Sequence, residues 1–134
     1  MILIIDGGTT NLRVTLLSDE RKKPLDAIAR DGGVRHTAVD GNNSYLKTTL
    51  AECIAQLLGR NGLEAGDVRR CIAYGMITSD MGLLEIPHVS APASAQDLKN
   101  AMREQAFPEI APFPITFIPG VRNFAAPVAL ENFG

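Results

Sequence analysis

Residues 1–17 read MILIIDGGTTNLRVTLL, and this stretch decides the fold. Residues 2–5 form a short aliphatic run that ends at Asp-Gly, which is typical of a buried strand. Residues 12–17 predict a second strand, because apolar and polar side chains alternate along them. The two strands therefore form a hairpin with a turn rich in glycine and threonine.

The next segments extend this hairpin into an α/β fold. Residues 25–30 predict a third strand, so that the first three strands form an antiparallel meander. A helix is predicted over residues 43–60, because apolar side chains recur there at intervals of three and four. These side chains are Leu46, Leu50, Cys53, Ile54, Leu57 and Leu58. We expect Asn43 or Ser44 to cap the start of this helix and Gly59 or Gly62 to end it.

The second half of the chain alternates shorter elements. Residues 71–74 predict a strand, and residues 83–89 predict an edge strand or a loop because Pro87 interrupts them. Residues 94–97 are close to a capping box and predict a helix through about residue 105, with Leu98, Ala101 and Met102 buried. Three prolines at 108, 112 and 114 predict a stiff linker before a last strand at residues 115–118.

Composition restricts the class of protein. With 134 residues, 46% apolar and 21% charged, the chain is expected to be one globular domain. A net charge of -2 without a basic block argues against a nucleic-acid surface. No apolar run approaches the ~20 residues of a membrane span, and residues 2–5 are too short for the apolar segment of a signal peptide, so neither feature is expected. Two cysteines without metal-type spacing predict small core residues in a cytoplasmic protein.

The turn after the first strand is a candidate phosphate site. It lacks the Lys of a Walker A loop, and it opens a strand instead of the helix of a dinucleotide fingerprint. Gly7 and Gly8 allow positive φ and a close approach of backbone amides to an anion, and Thr9, Thr10 and Asn11 add polar donors. Asp6 could hold Mg²⁺ through one carboxylate plus phosphates. The alternative is an ordinary two-residue hairpin turn, for which Asp-Gly and Gly-Gly are also suited.

Four stretches resemble one family and occur in its order. Residues 6–13, DGGTTNLR, resemble the first phosphate motif of the actin, heat-shock ATPase and sugar-kinase superfamily. Residues 33–35 (GVR), 75–79 (GMITS) and 118–123 (IPGVRN) resemble the 2-dehydro-3-deoxygalactonokinase family more specifically. The resemblance covers essentially the whole chain.

The resemblance implies a ribonuclease H-like mixed sheet, with an antiparallel meander plus parallel strands and flanking helices. This would be one lobe of a two-lobed actin-like ATPase or sugar-kinase fold. We expect residues 1–134 to be the amino-terminal lobe, with the carboxyl-terminal nucleotide-binding lobe and the catalytic base outside this chain. The cofactors implied are ATP and magnesium. The activity implied is phosphorylation of 2-dehydro-3-deoxy-D-galactonate at its terminal hydroxyl. This chain would be the amino-terminal fragment of that enzyme, and we expect the fragment to be inactive alone. The alternative is a non-catalytic lobe of the same superfamily that senses sugar or nucleotide.

Candidate substrate residues lie within the family-like stretches. Arginine suits a sugar-acid carboxylate because its guanidinium donates two parallel hydrogen bonds, which points to Arg13, Arg35 and Arg122. The alternative for each of them is a solvated surface side chain, and we expect at least one to contact an anion. Gly75, Met76, Thr78 and Ser79 form a predicted strand-end loop whose hydroxyls could bind sugar hydroxyls. These hydroxyls could equally cap the backbone. The two histidines, His36 and His88, have no metal-type spacing and are expected to be solvated or packed.

Overall fold

The computed structural model describes residues 1–20, 23–31, 41–80, 82–91 and 93–122, with the backbone alone at 121 and 122. Within these ranges the elements are, in chain order, β1 (Ile2–Gly7), β2 (Asn11–Leu17), β3 (Pro24–Asp31), α1 (Ser44–Arg60), β4 (Arg70–Gly75), β5 (Val89–Ser90), α2 (Ala95–Ala101), β6 (Arg103–Gln105), β7 (Ile115–Phe117) and β8 (Val121–Arg122). Short 3-10 turns lie at Ala65–Asp67 and Met76–Thr78.

The main sheet is mixed, in the order β3-β2-β1-β4-β7-β6. The first three strands form the predicted antiparallel meander. Beyond it, β4 runs parallel to β1, β7 runs parallel to β4, and β6 is antiparallel to β7. The predicted α/β class, with a meander plus parallel strands, is therefore confirmed.

The core lies between α1 and one face of this sheet, which we call the core face. All six predicted apolar positions of α1 are buried, and they belong to one cluster with side chains of the strands. Leu3 and Ile5 of β1 and Phe117 of β7 are fully buried in this cluster. Each such side chain contributes about 1.5–3 kcal/mol by leaving water. The apolar spacing in the sequence of α1 therefore corresponds to the helix face that packs on the sheet.

The two ends of α1 are stabilised differently from each other. At the start, Asn43 occupies the N-cap position without a capping side-chain bond, and its amide instead donates to the Gly82 carbonyl at 3.3 Å. At the end, the amide of Leu63 donates to the Leu58 carbonyl at 2.9 Å, the amide of Gly62 donates to the Gly59 carbonyl at 3.2 Å, and Gly62 has a φ of 66°. This is a Schellman motif with its glycine in the left-handed conformation. Gly62 therefore ends the helix as predicted.

The helix predicted through residue 105 is shorter in the structure. The capping box is confirmed, since the Ser94 hydroxyl accepts from the Asp97 amide at 3.1 Å and the Asp97 carboxylate accepts from the Ser94 amide at 3.0 Å. However, α2 ends at Ala101, and it contains no buried residue. Residues 103–105 form β6 instead, because their backbone pairs with the open edge of β7. The predicted burial of Leu98, Ala101 and Met102 is wrong, as all three are half-buried.

Two further expectations need correction. The proline-rich segment is not only a linker, because Phe107, Ile110 and Ala111 within it are buried in the core. The rings of Phe107 and Phe117 meet edge to face at 5.8 Å. The strand β7 is not the last one either, since β8 follows it and pairs in parallel with β5 in a separate two-stranded sheet.

Other expectations agree with the described residues. Cys53 and Cys71 are free and buried, as predicted for small core residues. Burial raises the pKa of the Cys71 thiol to about 12. Neither α1 nor α2 combines the length and the apolar character that a bilayer crossing demands.

Candidate functional site

Three of the four family-like stretches meet at one edge of the sheet. Gly7 at the end of β1 lies level with Gly75 at the end of β4. Phe117 at the end of β7 lies level with Ala73 of β4. The hairpin turn, residues 75–79 and residues 118–122 therefore all follow the carboxyl ends of parallel strands, where open α/β sheets bind ligands. We call this part of the molecule the strand-end edge.

The hairpin turn presents its tip to solvent. The Gly8 amide donates to the Asn11 carbonyl at 2.8 Å, which closes the turn around Thr9 and Thr10. Both threonines and Asn11 are exposed. The tip is thus available to a ligand approaching the strand-end edge.

Neither Gly7 nor Gly8 uses the positive φ that a glycine allows. Among the described glycines, positive φ occurs at Gly41, Gly62 and Gly75. Close packing explains Gly7 instead, because a Cβ there would lie 2.8 Å from the Cβ of Ile77. The hairpin and the turn after β4 are therefore in direct contact, and this contact requires a glycine.

Gly75, at the end of β4, does have a positive φ. Its φ of 92° and ψ of -152° lie in a region that is essentially restricted to glycine. A Cβ at Gly75 would lie 2.6 Å from the carbonyl oxygen of Gly7 and 3.4 Å from Oδ1 of Asp6. The close approach of the Gly7 carbonyl therefore requires a glycine at residue 75, directly beside the Asp6 carboxylate.

Asp6 lies between two polar residues on neighbouring strands. It is level with Arg13 on β2 and with Tyr74 on β4. Arg13 is exposed, and within the described part of the chain no ion pair joins its guanidinium to a carboxylate. Arg13 thus retains its charge for an anionic ligand.

The sequence did not single out Tyr74. Burial raises the pKa of its phenol, and the negative charge of Asp6 raises it further. Alternation along β4 indicates that Tyr74 points away from Cys71 and Ala73, but only the pairing of β4 with β1 places it beside Asp6.

The hydroxyls of Thr78 and Ser79 stabilise their own turn. Thr78 Oγ1 donates to the Gly75 carbonyl at 2.9 Å, and Ser79 Oγ donates to the Met76 carbonyl. Thr78 is only 4% exposed, and Met76 is half-buried. The backbone-capping alternative therefore holds for both donors, although each oxygen still has lone pairs that can accept. Their contact with substrate stays a prediction.

Some predicted residues lie outside this description. Residues 33–35, with Arg35, as well as His36 and Asn123 fall outside the described residues. Arg122 is described by its backbone, which pairs with Ser90. In the described ranges no group of three or more His, Cys, Asp or Glu side chains could hold a metal. At this site Asp6 could therefore offer a metal ion only one carboxylate.

A cavity of about 720 Å³ is lined by parts of β4, α2 and β7. Its lining includes Arg70 and Ile72 of β4, Lys99 before the end of α2, and Thr116 of β7. None of the residues of the hairpin turn or of 75–79 contributes to the lining, but Ile118 of the third stretch does. The cavity therefore borders the strand-end edge at Ile118 alone.

Comparison with solved structures shows the fold. A crystal structure from Sinorhizobium meliloti, of a protein provisionally assigned as a 2-dehydro-3-deoxygalactonokinase, matches 92% of this chain with a TM-score of 0.66 at 18% identity. This chain spans 36% of that protein. The predicted lobe fold is thus shared with a solved protein that is considerably longer.

Two other solved structures match less of the chain. A reductive activator for a corrinoid, iron-sulfur protein is 26% identical over 57% of this chain and 15% of its own, with a TM-score of 0.46. A Ppx/GppA family member from Aquifex aeolicus is 15% identical over 55% of this chain and 25% of its own, with a TM-score of 0.38. Both scores are too low to support an argument.

Sequence comparison identifies the family. No curated protein matches the chain significantly. The family model for 2-keto-3-deoxy-galactonokinase, in contrast, matches residues 6–129, which include the hairpin turn and all three other family-like stretches. The chain therefore belongs to the 2-keto-3-deoxy-galactonokinase family.

Proposed function

We propose that this chain is the amino-terminal lobe of a kinase that transfers the γ-phosphoryl group of ATP to the terminal hydroxyl of 2-dehydro-3-deoxy-D-galactonate, in galactonate catabolism. The observation that carries the proposal is the strand-end edge, where the hairpin turn and residues 75–79 pack together through Gly7 and Ile77. Family membership supports the reaction class. Kinase chemistry depends mainly on positioning phosphates and a hydroxyl, which a rigid edge of this kind can do.

The hairpin is proposed to bind phosphate. Its tip at Thr9 and Thr10 is exposed, and the threonine hydroxyls and Asn11 amide can donate to phosphate oxygens. Gly7 is held by its close packing on Ile77, so the turn is anchored at its base. A phosphate group bound there would therefore be held by a fixed backbone instead of a loose loop.

Asp6 is proposed as the magnesium ligand. Asp6 is half-buried at the end of β1, and its neighbour Gly75 on β4 has no side chain that could cover the carboxylate. Magnesium is commonly held by one or two carboxylates together with substrate phosphates and waters, which fits a single carboxylate beside the hairpin. When bound, the magnesium nucleotide supplies the phosphoryl group and neutralises its charge. This chain contributes the carboxylate and keeps it in place between β2 and β4.

The sugar acid is proposed to bind along the same edge. Arg13 is exposed and without a carboxylate partner in the described ranges, so it can pair with an anionic group of either ligand. Gly75, Met76, Thr78 and Ser79 offer backbone groups and hydroxyl lone pairs next to Asp6. Arg122 follows β7 at the same edge and is proposed to bind the carboxylate.

A second lobe is proposed to supply the catalytic base and the adenosine site. In support, this chain spans only 36% of the matching protein from Sinorhizobium meliloti. The 134-residue chain alone is expected to bind ligand weakly and to show no turnover.

The test compares the chain with the full-length protein that contains it. In the full-length protein, ADP release coupled to a phosphorylated product, identified by mass spectrometry, is expected with ATP, Mg²⁺ and 2-dehydro-3-deoxygalactonate. Asp6→Asn is expected to lower kcat by at least 100-fold, since it removes the carboxylate charge beside the phosphates. Nucleotide binding without a phosphorylated sugar acid would instead favour a sensing lobe, and activity unaffected by Asp6→Asn would refute the assigned site.

A further inference from the structure

The segment between the two most specific family-like stretches is fixed at both ends. After the Met76–Thr78 turn, the Leu83 amide donates to the Ile77 carbonyl at 2.9 Å, and the Ile86 amide donates to the Thr78 carbonyl at 3.0 Å. At its other end, the Val89 amide donates to the Gly120 carbonyl at 2.9 Å. We call residues 83–90 the connector, and it joins residues 75–79 to residues 118–122 along the strand-end edge.

His88 lies in this connector and contacts the second stretch. A Cβ at Gly120 would lie 2.6 Å from Cδ2 and 2.7 Å from Nε2 of His88. Real Cβ contacts are not that short, so the imidazole occupies the place that a side chain at residue 120 would need. The glycine of the Pro119-Gly120 pair is thus explained by the ring of His88.

His88 is exposed, and it makes no side-chain hydrogen bond to another described residue. The parallel pairing of Val89 with Val121 and of Ser90 with Arg122 places the residue directly before a ladder that carries Arg122. An imidazole offers one donor and one acceptor when neutral, and two donors when charged. An exposed imidazole fixed at the ligand-binding edge of the sheet is therefore suited to a carboxylate or a hydroxyl.

We propose that His88 contacts the sugar-acid substrate, binding its carboxylate or a neighbouring hydroxyl, and so determines specificity. The proposal rests on the proposed function, because it names a further residue of the same site. The connector holds the ring against Gly120, so that the imidazole is pre-positioned and little conformational entropy is lost on binding. The sequence alone predicts only a solvated or packed histidine here, because nothing in it shows that residues 88 and 120 meet.

The experiment separates a substrate contact from a structural role. In the full-length protein, His88→Ala is expected to raise KM for 2-dehydro-3-deoxygalactonate about 10-fold, the loss of roughly one hydrogen bond to a charged group. KM for ATP is expected to change less than about twofold, since the phosphate hairpin is a separate segment. His88→Asn or His88→Gln is expected to restore part of the affinity, because each amide replaces one ring nitrogen. Gly120→Ala is expected to raise the same KM by displacing the ring.

Lys99→Ala is the control, since Lys99 is exposed on α2 and belongs to none of the family-like stretches. Equal increases in both KM values together with a lower melting temperature would indicate a structural role and overturn the proposal. An unchanged KM for the sugar acid in His88→Ala would overturn it as well.

Calorimetry makes the result independent of turnover. Titration of the sugar acid without ATP is expected to give about 10-fold weaker binding to His88→Ala than to the wild-type protein. Wild-type protein that binds the acid but does not phosphorylate it would refute the proposed kinase function while leaving the His88 contact supported. Equal affinities in the two proteins, or no binding to either, would refute the contact.

Discussion

Replacing Gly75 with alanine tests the contact on which the candidate site depends. At a φ of 92° and a ψ of -152°, an alanine is strained, by about 1–3 kcal/mol. Its methyl group would also lie 2.6 Å from the carbonyl oxygen of Gly7, and a backbone atom cannot move aside as a flexible side chain can. Overpacking of this kind adds about 1–3 kcal/mol.

The two effects together predict a loss of roughly 2–6 kcal/mol for Gly75→Ala, out of the ~5–15 kcal/mol that typically stabilises a domain. At about 4 °C per kcal/mol, the melting temperature is expected to fall by roughly 8–24 °C. Circular dichroism during heating, with urea unfolding at fixed temperature as a second measurement, gives the value. Because a shift of β4 against β1 also moves Asp6, magnesium-nucleotide affinity is expected to fall too.

Gly59→Ala is the matched control for this substitution. Gly59 lies in the last turn of α1, and a Cβ there meets no atom within 4 Å. Since alanine is the better helix former, this variant is expected to be more stable than the wild type by about 0.5–1 kcal/mol. A Gly75→Ala protein that melts within about 2 °C of the wild type would refute the strain and the close packing inferred at the strand-end edge.

Three other predictions follow from individual contacts. Gly7→Ala should destabilise the protein by about 1–3 kcal/mol, and clearly less in an Ile77→Gly background, because only glycine at residue 77 removes the Cβ that competes for the same space; additive losses in a urea double-mutant cycle would contradict this. Cys71, with a pKa raised to about 12 by burial, should react with Ellman's reagent at pH 8 only as fast as the protein opens; rapid labelling of the native protein would be inconsistent with that burial. Hydrogen bonds from Arg60 lower the pKa of Asp26. The stabilisation that ionised Asp26 gives the folded protein is therefore present above the unfolded pKa of about 3.9, and it is lost as pH falls through the lower folded pKa. The melting temperature of Asp26→Asn should therefore fall less than that of the wild type when pH is lowered below about 4. Melting temperatures that fall in parallel with pH in the two proteins would disprove the linkage.

The sequence by itself determined the elements whose side chains repeat with a clear period. The meander follows from the aliphatic run at residues 2–5 and the alternation over residues 12–17, and α1 follows from apolar spacing over residues 43–60. Both patterns are local records of which face is buried, so they can be read without knowing what covers that face. The Ser94 capping box and the Gly62 helix end are local for the same reason, since each is completed by backbone groups a few residues away.

The tertiary structure decided which elements are neighbours. The strand β6 has three exposed residues and no period, and it exists because the edge of β7 offers hydrogen bonds. Phe107 appears in a proline-rich stretch, yet it is buried because Phe117 and the core lie beside it.

In the candidate site too, some features were predictable from the sequence and others depend on the tertiary structure. Asp6 and the hairpin were recognisable from residue types, but their partners were not. Gly7 is needed because Ile77 packs on it, and His88 faces Gly120 across 32 residues of chain that bring them together only in the folded state. A sequence specifies which face of each strand is apolar, whereas the register between strands distant in the chain arises from packing of the whole sheet, and that register places these residues at one edge.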